Sequence, residues 1–187
     1  MRELSVETVG DKLRGVTVLL RASLNVPVDA GVVRNPFRLH AALPTIQYLS
    51  SHGARVVLIS HIDGGVGASL LPVYEYLKKH IALKFSHDVA GTVAQSDVRA
   101  LKDGEVLLLE NVRRDQGEVA NDSEFARKLA ALGDVFVNDD FAAAHRVHAS
   151  VVGLPKLMPS YAGLQFIAER DGLARALTPK SPSLAIV

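Results

Sequence analysis

The sequence predicts an α/β domain in which a mainly parallel sheet is covered by helices on both faces. Three observations point there. Apolar runs of strand length alternate with stretches of helical period. The core must be aliphatic, because apolar residues make up 48% of the 187, Trp is absent and aromatics contribute 5%. Glycines close several of the helical stretches just before the next strand. Strands buried on both faces read as continuous aliphatic runs, and short crossovers between them favour one parallel sheet, a Rossmann-like three-layer arrangement.

The elements follow in order. Strand-like runs occupy Val16–Leu20, Ala54–Ile59, Ile81–Phe85, Glu105–Leu109 and Asp134–Val137. Gly53 and Gly133 precede two of them and are expected to adopt a positive φ past a helix end. Asp103-Gly104 marks a turn before a third. The first helix, Phe37 to Leu49, repeats Leu39, Leu43, Ile46 and Leu49, with Pro44 arguing for a kink or a broken start. Leu70 to Leu77 has Ser69 as a cap and Pro72 in its first turn. Asp122 to Leu132 aligns Phe125, Leu129 and Leu132, and Ala162 to Leu177 ends before Thr178-Pro179. Residues 1–178 are expected to form the domain. Residues 179–187 read as a linker followed by the first residues of a strand.

Charge and composition exclude several functions. The formal charge is +1, from 21 Lys plus Arg against 20 Asp plus Glu, so a strongly basic nucleic-acid surface is not expected. There is no Cys, which excludes disulfides and thiolate chemistry. The N-terminus lacks an apolar signal segment, and no apolar run approaches the ~18 residues of a membrane span. A cytoplasmic protein without membrane or nucleic-acid partners is the expectation.

In an open α/β sheet, ligands sit beyond the carboxyl ends of the strands. Polar loops follow four of these strands. They carry Arg21, Ser23 and Asn25; His61 and Asp63; Arg113 and Arg114; and Asp139, Asp140, His145, Arg146 and His148. Arg38 opens the first helix. Guanidinium groups gathered at one edge require an anion or local carboxylates between them, and their planar fork suits phosphate. The same residues also fit ordinary surface ion pairs. Gly64-Gly-Val-Gly67 lacks the remaining glycine of a dinucleotide fingerprint and reads as a flexible turn. His145 and His148 share a face on a helix but have no third ligand at metal spacing. Adjacent Asp139 and Asp140 diverge and serve better to compensate Arg or cap a helix.

Together, Arg21-Ala-Ser-Leu-Asn-Val-Pro27, Arg38-Leu-His-Ala-Ala-Leu-Pro-Thr-Ile46, Val57-Leu-Ile-Ser-His61, Leu107-Leu-Leu-Glu-Asn-Val-Arg113 and Asn138-Asp-Asp-Phe-Ala-Ala-Ala-His-Arg-Val-His-Ala-Ser150 resemble the phosphoglycerate kinase family. The resemblance implies the N-terminal, phosphoglycerate-binding domain of an enzyme that exchanges phosphate between ATP and 3-phosphoglycerate. By that resemblance, Ser23, Asn25, Arg38, His61, Arg113 and Arg146 bind a small phosphorylated carboxylic acid, and Arg38 stabilises the transferring phosphoryl.

Several departures weaken the match, among them Asp140 and Ala142 where the family's last motif has Ala and Gly. The family's Asp is Ser23, one family Arg falls at Gly64, and a family Gly is Asp63. Arg114 offers a replacement donor from a new position. No cofactor site is expected in this chain; Mg-ATP or ADP is implied for a complete two-domain parent. The chain alone is expected to be inactive. The alternative is a non-catalytic homologue acting as a binding module, with a partner chain or self-association at the surface that would face a second domain.

Overall fold

A computed structural model describes residues 4–65, 67–179, 181 and 184. In chain order the elements are β1 (Thr17–Ala22), β2 (Val28–Asp29), β3 (Val32–Val33), α1 (Phe37–Ser51), β4 (Arg55–Ile59), α2 (Leu71–Leu77), β5 (Lys84–Phe85), α3 (Thr92–Arg99) and β6 (Val106–Leu108). There follow α4 (Gln116–Val119), α5 (Ser123–Ala130), β7 (Val135–Asp139), β8 (Ser160–Ala162) and α6 (Leu164–Leu177). The strand expected in the last residues of the chain falls outside the described residues apart from Leu184.

Six strands form one sheet in the order β5, β6, β4, β1, β7, β8, and every pairing is parallel. All their carboxyl ends therefore lie at one edge. The chain builds outward from β1 through β4 to β6 and β5, then returns to place β7 on the other side of β1. That reversal of strand order positions the loops after β1, β4, β6 and β7 side by side.

Alternation along the strands divides the core in two. Val18, Leu20, Val56, Leu58, Val106 and Val137 pack with Leu39, Ile46 and Leu49 of α1 and Val73 and Leu77 of α2. Leu19, Val57, Ile59, Leu107 and Phe136 face the other way, onto Ala94 and Val98 of α3 and Phe125 and Leu129 of α5. The expected three layers are present, with aliphatic side chains filling both interfaces.

Local chemistry accounts for the helix boundaries. Asp122 accepts from the Phe125 N–H at 2.8 Å and starts α5. Ser69 Oγ accepts from the Leu71 N–H at 3.0 Å ahead of Pro72. Gly53 has φ 77° at the end of α1, as expected. Gly133 has no positive φ. A Cβ there would stand 2.8 Å from Leu19 Cγ and 3.1 Å from the Thr17 carbonyl, so close approach is what requires glycine. Helix α1 runs unbroken through Pro44, which removes one backbone bond without stopping the helix. The β2–β3 hairpin turns on Ala30 and Gly31, at φ 49° and 75°. Both residues of such a turn need positive φ, and Ala in that role gave no signal in the sequence.

Helix α6 starts at Leu164 where Ala162 was expected, and β8, which the sequence does not mark, runs up to it. Ala162 ends the strand, and Gly163 leads into the helix. A Cβ on Gly163 would collide with the Asp139 carboxylate, while Asp139 accepts from the Phe166 N–H at 3.0 Å in the first turn of α6. Gly163→Ala is expected to push Asp139 off this helix end and destabilise the fold by about 1–3 kcal/mol, the usual range for overpacking. Urea denaturation of the variant measures this directly; an unchanged midpoint would show that the close approach is not tight.

Candidate functional site

The site is built on a buried charged frame. Arg21 lies at the end of β1 and Asp140 just past the end of β7. Each is 1% exposed, and the two form an ion pair. Arg21 Nε also donates to Ser150 Oγ at 2.9 Å. Ser150 Oγ in turn donates to the buried Glu118 at 2.6 Å, and its backbone N–H donates to the same carboxylate at 2.9 Å. Asp140 further caps the short turn that follows it, accepting from the Ala143 N–H at 3.2 Å. A buried charge needs this degree of satisfaction, since burial unpaired costs several kcal/mol. Arg21 is therefore an internal support of the edge and does not face the outside.

The frame fixes His61. Arg21 Nη2 stands 3.4 Å from His61 Nδ1. A guanidinium only donates, so Nδ1 accepts and the ring proton is on Nε2. Burial, reinforced by the Arg21 and Arg113 charges, lowers the His61 pKa to about 4. His61 is thus a neutral hydrogen-bond donor near pH 7.

The exposed part of the site centres on Asp63. Its Oδ1 is ion-paired with Arg113. Its Oδ2 accepts from Asn25 Nδ2 at 2.8 Å, and its backbone N–H donates to Asn25 Oδ1 at 3.1 Å. Arg113 is set in place by a 3-10 turn whose cap, Asn111, accepts from the Arg113 N–H at 3.1 Å. The Asn25 amide and then the Arg113 charge, with Arg146 contributing, hold the Asp63 carboxyl below its ordinary range although partial burial opposes this. Arg38, on the first turn of α1, donates to the Asn25 carbonyl at 3.3 Å. Among the described residues neither Arg38 nor Arg146 pairs with a carboxylate.

Two adjoining cavities flank Asp63. One, of about 660 Å³, is lined by Asn25, Pro27, Asn35, Phe37, Arg38 and Asp63. The other, of about 480 Å³, is lined by Asp63, Gly64, Asn111, Arg113, Arg114 and Gln116. Phe37 is 74% exposed on the wall of the first. Asn25 and Arg113 bond to Asp63, Arg38 lines a cavity with it, and His61 and Arg146 lie within electrostatic reach of its carboxyl, Arg146 lining neither cavity. Ser23 is half-buried, and its hydroxyl has no hydrogen bond among the described residues. Arg114 is engaged elsewhere, pairing with Glu110 at 2.6 Å and donating to the Gly67 carbonyl at 3.2 Å.

The remaining His and Asp residues of these loops are placed as follows. Residues 145–148 are not helical, so His145 is exposed while His148 is buried beside Glu118. Among the described residues no three His, Asp or Glu groups gather as a metal site, and no helix is long and apolar enough to cross a membrane. Asp139 and Asp140 diverge, one toward α6 and one toward Arg21. The role of Asp63 was missed. Its carboxylate next to Arg-bearing loops was visible in the sequence, but its partners lie 38 and 50 residues away.

Comparison with known proteins adds to this geometry. The profile of the family described as phosphoglycerate kinase matches residues 7–187. The phosphoglycerate kinase of Caulobacter sp. (strain K31) is 48% identical over 183 residues, covering 94% of this chain and 46% of that protein. That of a Methylorubrum extorquens strain is 44% identical over the same shares. The structure of phosphoglycerate kinase from Coxiella burnetii superposes with a TM-score of 0.83 at 34% identity, covering 96% of this chain and 46% of its own. The enzyme from Pyrococcus horikoshii OT3 gives 0.84 at 31% identity, covering 96% and 47%. The chain spans about half the length of the curated relatives it matches.

Proposed function

The chain belongs to the phosphoglycerate kinase family, and on that basis we propose that it is the half of such a kinase that binds the phosphorylated acid. The observation that carries this reading is that Arg38 and Arg146 have no carboxylate partner among the described residues, Arg38 lining a cavity that also presents Asn25 and Arg146 lying within electrostatic reach of Asp63 on the wall of that cavity. Phosphoryl transfer needs positioning and positive charge more than a covalent catalyst. In this reading Arg146 and Arg113 hold the phosphate end of 3-phosphoglycerate. His61 donates through Nε2, with Ser23 and Asn25 as neutral neighbours. Arg38 stabilises charge on the phosphoryl group as it passes from ATP to the substrate carboxylate, giving ADP and 1,3-bisphosphoglycerate.

The residues described carry no positive sign of a magnesium-nucleotide site. No metal-ligating cluster is present among them, and the Gly64-Gly65 loop lacks a phosphate-gripping pattern. ATP and magnesium belong, in this proposal, to a nucleotide-binding half outside the 187 residues, and the chain alone is inactive. A cytoplasmic setting goes with that reading.

Titration calorimetry with 3-phosphoglycerate tests it. We expect saturable, salt-sensitive binding that Arg38→Ala weakens about tenfold or more, since a hydrogen bond to a charged group contributes about 1.5–3 kcal/mol. A folded sample that gives no heat at millimolar ligand would refute it. A second reading, a non-catalytic binding module, is favoured by the Asp63–Arg113 pair and the uncharged Ser23. Turnover with Mg-ATP by this chain alone, lost in Arg38→Ala, would contradict both.

A further inference from the structure

We infer that Asn111 is a positioning residue: its buried side-chain amide ties the loop carrying His61 and Asp63 to the turn carrying Arg113, and so sets the register in which both meet a ligand. The inference rests on the preceding reading for the identity of the ligand and deepens it.

Asn111 follows β6 and is 2% exposed. Every hydrogen-bonding position of its amide is filled. Oδ1 accepts from the Ile62 N–H at 3.3 Å and from the Arg113 N–H at 3.1 Å. Nδ2 donates to the Ile62 carbonyl at 3.0 Å and to the Ala68 carbonyl at 3.1 Å. Two N–H groups on one side and two carbonyls on the other fix which way the amide faces. One side chain therefore grips the residue between His61 and Asp63 by both its backbone groups, and holds Arg113 with the same oxygen. The neighbouring Glu110 secures the far end of that loop, its Oε1 accepting from the Leu70 N–H at 2.8 Å and the Asn111 N–H at 2.9 Å. The ion pair of Arg113 with Asp63 spans the seam that Asn111 closes. A guanidinium displaced by about 1 Å loses the alignment that its paired bonds require.

Asn111→Ser tests this, because serine still caps the Arg113 turn but has a single proton to give and releases the loop. Affinity for 3-phosphoglycerate is measured by calorimetry in wild type, Asn111→Ser, Arg113→Gln and the double variant. Arg113→Gln is expected to weaken binding about tenfold or more in the wild-type background and less than about threefold beside Asn111→Ser, since a misplaced Arg113 has little left to lose. Equal losses in both backgrounds, or none, overturn the inference, whatever Asn111→Ser does to stability. If Asn111→Ser does not fold, Asn111→Asp takes its place, equal in size and lacking both amide donors. If that variant also fails to fold, Asn111 serves stability alone and the inference falls.

If the wild type binds no 3-phosphoglycerate, the phosphoglycerate reading fails. Asn111 is then judged without ligand, from the guanidinium protons of Arg113 in nuclear magnetic resonance spectra. The ion pair with Asp63 is expected to hold them as resolved signals in the wild type, and Asp63→Asn and Asn111→Ser are each expected to abolish them. Signals that survive in Asn111→Ser, or that are missing from the wild type, overturn the inference.

Discussion

Asp140→Ala is expected to lower folding stability by about 3–5 kcal/mol, because it strands the Arg21 guanidinium in the interior. Arg21 and Asp140 are each 1% exposed. With the carboxylate gone, Arg21 retains only Ser150 and the ring nitrogen of His61, neither of which carries the opposing charge. Breaking a buried ion pair from one side costs this much because an uncompensated charge remains; replacing the pair by apolar groups costs far less. The double variant Arg21→Met with Asp140→Ala is therefore expected to recover most of the loss. Urea denaturation of the three variants measures it, with an unchanged slope confirming that the unfolded state is not altered. A single-variant loss below about 1 kcal/mol would mean that water reaches Arg21.

Two buried groups are expected to push stability in opposite directions between neutral and acid pH. His61 has its pKa lowered from 6.5 to about 4, first by burial and then by Arg21 and Arg113. Its contribution is complete above pH 6.5 and is lost as pH falls toward 4, because the unfolded chain takes up the proton first. Asp139 has its pKa raised from 3.8 to about 6, chiefly by burial, against the α6 backbone bonds and Thr45 that stabilise its charge. Here the folded state takes up the proton first, so acidification from pH 6 toward 3.8 is stabilising. Each effect reaches about 3 kcal/mol at its limit. In the wild type they largely cancel between about pH 6 and 4. Asp139→Asn should leave the His61 contribution exposed, so stability falls with acid more steeply than in wild type. His61→Gln should reverse the slope over the same interval. Denaturation midpoints at half-unit pH steps settle it, and parallel curves for all three proteins would contradict both assignments.

Much of the fold was legible because it depends on local signals. Aliphatic runs marked β1, β4, β6 and β7, and Leu39, Ile46 and Leu49 marked the buried face of α1. What escaped was set by contacts distant in sequence. Gly133 looks like a helix terminator, whereas its glycine is demanded by Leu19 across the sheet. Strand β8 is three residues long and exists through its pairing with β7. At the site, the residues following strands share one edge of the sheet, and local carboxylates between the guanidinium groups were one of the two readings. Which carboxylate serves which guanidinium was not readable: Asp140 is 119 residues from Arg21, and Asp63 is 50 from Arg113. Arg21 illustrates the limit, since a polar residue at a strand end looks the same whether it turns outward or into the core.

The position of β7 beside β1 also has a kinetic consequence. Thr17 pairs with Arg55, whereas Val18 pairs with Val135. Closing the longer loop costs about 1 kcal/mol more chain entropy than closing the shorter one, so β1 and β4 have the easier path to early association. On that ground the strand that brings Asn138, Asp139 and the segment leading to Arg146 is expected to join the sheet after β1 and β4 have met. Refolding followed at Arg146 is therefore expected to lag behind refolding followed at the β1–β4 contact, and simultaneous signals would contradict that order.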